Sequence, residues 1–258
     1  MSGLSEREKS ALRYYIGDVS GSDPFWSDPK AYVVLNSLFF PGISTERARA
    51  AEGKRLNPAI LDDTDRLTDL FSDLFSAFRH SSAETERHSF RVERESDFLL
   101  CQAAGATLSF TSTSIAGFLS EYRDRLGIAL MRFTLPVGTL CIDVAEALDF
   151  YAKPEEAEIL LPPFSELSMT DLPLTDSDKL ILDSAGAPPV RSCEVKVGGI
   201  RRSGEAVQLP DGGAKAGQRV FAALSEGKEP PREDTALFSE WKRAYISRLS
   251  RLFTELLS

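Results

Sequence analysis

An α+β fold is predicted for this chain of 258 residues, and three observations carry the prediction. Up to about residue 87 the apolar residues recur at helical spacing. From residue 88 short runs rich in Phe, Val, Ile and Thr are separated by Gly, Pro and Asp. A long amphipathic pattern then closes the chain. Helices first and strands afterwards argue against an alternating α/β sheet. The length suits one large domain or a domain with an added lobe. The expected division is a helical lobe over residues 1–87, a β-sheet core over 88–200, and a Gly-rich linker with a C-terminal amphipathic helix over 201–258.

In order along the chain, Ser5 and Glu8 form a capping-box pattern ahead of Ala11, Leu12, Tyr15 and Ile16. The clearest helix follows Asp62 and Asp63, with Leu67, Leu70, Phe71, Leu74, Phe75 and Phe78 on one stripe that reads as core. The strands expected after it are His88–Arg94, Thr107–Ser112, Ile128–Leu135, Thr139–Asp143, Glu158–Leu161 and Arg191–Val197. Residues 198–218 are Gly-rich and read as a loop, without the GxxxxGK[ST] spacing of a phosphate-cradling P-loop. Beyond them Leu237, Phe238, Trp241, Tyr245, Leu249, Leu252, Phe253 and Leu256 recur at helical spacing between basic residues, a brace on the domain or a docking helix.

A net charge of -9 and a pI near 4.9 disfavour nucleic acid and anionic lipid as partners. No apolar run approaches the ~20 residues of a membrane span, and the first segment carries charges where a signal peptide would be apolar. Synthesis in the cytoplasm is therefore expected, with export by another route. The three cysteines, Cys101, Cys141 and Cys193, are scattered and read as small buried apolar residues. His80 and His88 stand near neither a Cys pair nor a serine-nucleophile motif, so neither a metal site nor a Ser-His-Asp triad is expected.

Chemistry concentrates in KPEEAEILLPPF, residues 153–164, where Glu156 and Glu158 precede an apolar run closed by two prolines. In an extended strand the two carboxylates would share one side, about 6.6–6.8 Å apart along the strand, with Ile159 and Leu161 pointing into the core. Such a pair can divide labour, one stabilising positive charge on a sugar and the other handling a proton on the attacking group. Alone, Glu-x-Glu is weak, because any acidic loop leading into a strand looks the same. Two further stretches precede it: HSFRVER with Arg91 and Arg94, and LSFTSTSIAGF with Ser112, Thr113 and Ser114.

In the order arginine, Ser-Thr-Ser, Glu-Ala-Glu-Ile-Leu-Leu-Pro-Pro, the sequence resembles the mono-ADP-ribosyltransferases that include binary actin-modifying toxins and vertebrate ecto-enzymes. The resemblance covers roughly residues 5–197, including ALRYYIG and KAYVVLNSLFF. It implies an ADP-ribosyltransferase fold, with a helical lobe and two packed, mainly antiparallel β-sheets around an NAD cleft. NAD is then the co-substrate, with no metal. It implies that Arg91, after the aromatic Phe90, holds NAD phosphate and ribose oxygens. Arg94 is the alternative, because Val92 stands where glycine is common. Ser112 would orient the catalytic glutamate, Thr113 and Ser114 would shape the cleft, and Phe118 would stack near the nicotinamide. Glu158 would bond the nicotinamide ribose and stabilise the oxocarbenium-like transition state. Glu156 would orient and deprotonate an acceptor arginine, and Phe150 and Tyr151 would meet the target protein. The activity implied is transfer of ADP-ribose to a protein arginine by a toxin or delivered effector, with a docking or immunity protein on the C-terminal helix as a further partner. The alternatives are an NAD glycohydrolase and a non-catalytic member of the same fold.

Overall fold

A computed structural model describes residues 3–17, 31–40, 58–115, 128–149, 151, 157–179, 189–201 and 207–258. The chain falls into two compact units, Met1–Arg79 with Arg202–Ser258, and His80–Arg201.

The first unit is helical. Helix α1, Glu6–Ile16, starts at the expected capping box: Ser5 N donates to Glu8 Oε2 at 2.7 Å, and Glu8 N donates back to Ser5 Oγ at 3.4 Å. The buried Glu8 also accepts from Ser76 Oγ at 2.6 Å, which ties α1 to α3. Helix α2 is Ala31–Ser37, and α3 is Thr64–Arg79 with Asp63 accepting from Arg66 N at 3.0 Å as its cap. All six stripe residues of α3 are buried as the periodicity predicts. Phe71 packs among Phe39, Phe75 and Tyr245, and Phe75 stacks on Phe253 at 4.6 Å.

Among the described residues this unit also holds α6, Gly213–Ser225, and α7, Arg232–Leu257. The expected loop over 198–218 is thus corrected at both ends, since a strand runs to Ile200 and α6 begins at Gly213. The glycines there serve close packing: a Cβ on Gly213 would lie 2.4 Å from Trp241 Cβ, and one on Gly217 2.5 Å from Phe238 Cε2. The apolar stripe of α7 is filled by α6 and α3, so the helix is a brace within its own unit. Lys242 is buried there with its ammonium over the Phe238 ring, 5.4 Å from the centroid, donating to the Ser37 carbonyl at the end of α2 at 3.3 Å.

The second unit holds the strands: β1, Arg87–Arg94; β2, Thr111–Ser114; β3, Ile128–Leu135; β4, Ile142–Asp143; β5, Glu158–Leu161; β6, Ser165–Leu172; and β7, Pro189–Ile200. Helices α4, Glu95–Ala104, and α5, Val144–Ala147, lie between them. The class is α+β. The strands are mainly antiparallel, β3 with β7 being the parallel pair. Instead of two separate sheets there is one, in the order β4-β5-β2-β1-β3-β7-β6. Its two parts, β4-β5-β2 and β1-β3-β7-β6, join through one residue pair among the described residues, Phe90 opposite Ser114.

The strand expected at Thr107–Ser112 lies later, at Thr111–Ser114, because Thr107 is taken up in a clamp. Its Oγ1 donates to the Pro162 carbonyl at 2.8 Å and accepts from Ser165 N at 2.9 Å, holding the turn between β5 and β6. The strand expected over Thr139–Asp143 is confined to Ile142–Asp143. One face of the sheet carries Ala129, Met131, Phe133, Leu135, Ile159, Leu161, Cys193, Val195 and Val197 into a core that includes Phe98 of α4.

All three cysteines are free thiols. Burial pushes each up to about 11. At pH 8 the folded protein should therefore react with a thiol reagent on the order of 100-fold more slowly than the unfolded chain, which a colorimetric thiol titration with and without denaturant checks. Unfolded thiols ionise first, so their contribution to stability is present below about pH 8.5 and is lost as pH rises through the folded values.

Candidate active site

Strand β2 is the segment TSTS and pairs antiparallel with β5. Ser114 stands opposite Glu158, Thr113 opposite Ile159, and Ser112 opposite Leu160. Directly opposed residues share a face with Cβ atoms about 4.5–5.5 Å apart, and diagonal neighbours are about 7–8 Å apart. Ser114 is thus the immediate cross-strand neighbour of Glu158, and Ser112 its diagonal neighbour. Thr113 faces the other way, buried, with its Oγ1 donating to the Ile159 carbonyl at 3.1 Å. That bond commits Thr113 to the strand pair rather than to a cleft.

Glu158 is the first residue of β5 and only 7% exposed. A buried carboxylate needs donors, and Tyr151, itself 9% exposed, supplies its phenol to Glu158 Oε2 at 3.0 Å. The residue before the strand, Ala157, has φ of 42°, in the left-handed region that costs a non-glycine residue about 1–2 kcal/mol. Its carbonyl accepts from Ile115 N at 3.2 Å, which holds Ala157 against the end of β2. Extended geometry begins at Glu158, and the expected alternation of Glu156 with Glu158 along one strand lies outside the described residues. Glu156, Phe118 and Phe150 lie outside the described residues.

Arg91 lies in the middle of β1, after Phe90. Its Nε donates to Glu93 Oε2 at 2.7 Å and its Nη1 to the Ser112 carbonyl at 2.7 Å. Strands β1 and β2 pair only at Phe90 and Ser114, and the guanidinium bridges the next part of the seam. Alternation along β1 sends Arg91 to the face opposite Phe90, so Arg91 approaches Ser-Thr-Ser through its main chain. Arg94 stands at the start of α4 without a side-chain cap bond, its backbone N donating to Glu93 Oε1 at 3.2 Å. Of the two arginines, Arg91 is the one fastened to the Ser-Thr-Ser strand.

Sequence reasoning missed two features of this neighbourhood. Arg132 on β3 lies opposite Phe90, its guanidinium 5.8 Å from the ring centroid and paired with the buried Asp178. Arg132, Phe90, Ser114 and Glu158 therefore form one row across four neighbouring strands. Alternation within MRF could have placed Arg132, but nothing local signalled Asp178. The other missed feature is the bond from Tyr151 to Glu158, which joins residues seven apart in the chain. Among the described residues, no group of three or more His, Cys, Asp or Glu could hold a metal ion, and no helix is long and apolar enough to cross a membrane.

No family model matches the chain, and no curated protein does. The solved structures it is similar to include ADP-ribosyltransferases and toxin components. An ADP-ribosyltransferase from Clostridium botulinum is 13% identical with a TM-score of 0.44, over 76% of this chain and 88% of that one. The Clostridium limosum C3 exoenzyme is 14% identical with a TM-score of 0.45, over 76% and 86%. The enzymatic component of the Clostridium botulinum C2 toxin is 16% identical with a TM-score of 0.44, over 78% of this chain and 44% of that one.

Proposed function

We propose that the chain transfers ADP-ribose from NAD to an arginine side chain of a target protein and releases nicotinamide. The observation that carries this reading is the buried Glu158 at the head of β5, opposite Ser114 and beside a Ser-Thr-Ser strand to which Arg91 is fastened. That combination supplies a fixed negative charge for a cationic sugar.

In the reaction the bond between the ribose C1′ and the nicotinamide nitrogen breaks, and its electron pair leaves with neutral nicotinamide. Glu158 accepts a hydrogen bond from the ribose 2′-hydroxyl and stabilises the oxocarbenium-like ring electrostatically. A guanidinium nitrogen of the target then bonds to C1′ and gives up a proton. An arginine side chain has a pKa above ~12, so a carboxylate at the point of attack is needed, and Glu156 is assigned to it. The resemblance assigns the diphosphate to Arg91, which must first exchange its pairing with Glu93 for phosphate oxygens.

The test is incubation with adenine-labelled NAD and a target lysate, following nicotinamide release and protein-bound label together. Label that neutral hydroxylamine removes supports an arginine acceptor, and nicotinamide release without protein label selects hydrolysis instead. Glu156→Gln should keep nicotinamide release within about threefold of wild type while protein labelling drops on the order of 100-fold, the size of a general-base contribution. Equal loss of both activities would remove Glu156 from the acceptor side.

A further inference from the structure

We infer that Tyr151 is a positioning residue that holds Glu158 for the reaction proposed above, rather than an aromatic that reads the target protein; the inference rests on that reaction. Its phenol donates to Glu158 Oε2 at 3.0 Å, and both side chains are buried, at 9% and 7% exposure. A target-reading aromatic must offer its ring to solvent, and this ring does not.

The geometry also gives the bond a specific task. A glutamate side chain turns about three bonds, and a carboxylate that stabilises a transition state must already be in place when charge develops. A carboxylate is planar, so fastening Oε2 sets where Oε1 points. The backbone is fixed on both sides of Glu158, by the register of β5 on β2 and by Ala157, whose carbonyl is bonded to Ile115 N. Tyr151 holds the carboxylate end of a side chain whose main-chain end is already fixed.

The test is a double-mutant cycle of Tyr151→Phe and Glu158→Gln on the full chain, read as nicotinamide release from NAD with and without protein acceptor. A lost hydrogen bond to a carboxylate predicts that Tyr151→Phe lowers kcat about 10- to 100-fold, equally for hydrolysis and for protein transfer, with KM for NAD unchanged. In the Glu158→Gln background the same substitution should cost less than about twofold, because the group it positions has lost its charge. A general packing defect would cost the same factor in both backgrounds and would overturn the inference. So would loss of protein transfer with hydrolysis intact, which would return Tyr151 to target recognition. Equal activity of Tyr151→Phe and wild type would overturn Tyr151 alone, whereas a wild-type protein that releases no nicotinamide would overturn the reaction and the inference with it.

Discussion

Glu158→Gln is expected to lower nicotinamide release from NAD by about 10²–10³-fold, with KM for NAD little changed and the melting temperature preserved. The substitution is nearly isosteric, and its amide oxygen can still accept from the Tyr151 phenol that now bonds Oε2. What it removes is one negative charge at a buried site, where charge interacts more strongly than in water. Removing a preorganised group aimed at developing charge typically costs that factor, and the loss appears in kcat because the positive charge sits on the nicotinamide ring of ground-state NAD and reaches the ribose only in the transition state. Nicotinamide quantified by liquid chromatography, beside a thermal melt, checks it. Equal rates for wild type and variant would end the proposal of an ADP-ribosyl transfer centred on this residue.

Gly213→Ala is expected to destabilise the helical unit by about 2 kcal/mol, although alanine is the better helix former by about 1 kcal/mol. The reason lies in α7. The new methyl would sit 2.4 Å from Trp241 Cβ and 2.6 Å from Trp241 Cγ, atoms at the root of a side chain that cannot swing aside. Either helix must shift, and overpacking of this kind costs about 1–3 kcal/mol or more, enough to reverse the propensity gain. One turn on, Gly217 repeats the arrangement against Phe238 and Leu61. Urea unfolding of wild type and variant, followed by tryptophan fluorescence because Trp241 is at the contact, reads the sign directly. A stabilised Gly213→Ala would mean that α6 and α7 pack less closely than the structure has them.

Elements were legible in the sequence where one local signal sufficed. The stripe of α3 gave its buried face, and the segments Ile128–Leu135 and Glu158–Leu161 gave strands with those bounds. Elements defined by distant partners were not. Strand β6, SELSMTDL, has no apolar run and exists because β7 pairs with it. Helix α4 follows β1 without an intervening loop, so no turn signal separates the two. Gly213 and Gly217 read as loop residues until the helix they touch is known. In the site, motif order singled out Glu158, and the structure finds it buried at the head of β5. The left-handed Ala157 was not legible, because alanine carries no signal for a positive φ.

The join between β1 and β2 has a mechanical meaning. Eight residue pairs stitch β1 to β3, but one stitches it to β2. Resistance to sliding grows with the number of bonded pairs, so compliance of the sheet concentrates at this seam, where Arg91 adds its bond to the Ser112 carbonyl. Phe90 and Arg132 stand on one bank, Ser114 and Glu158 on the other, all on one face. A ligand lying along that row would span the seam, so that its grip and the stiffness of the sheet would rise together.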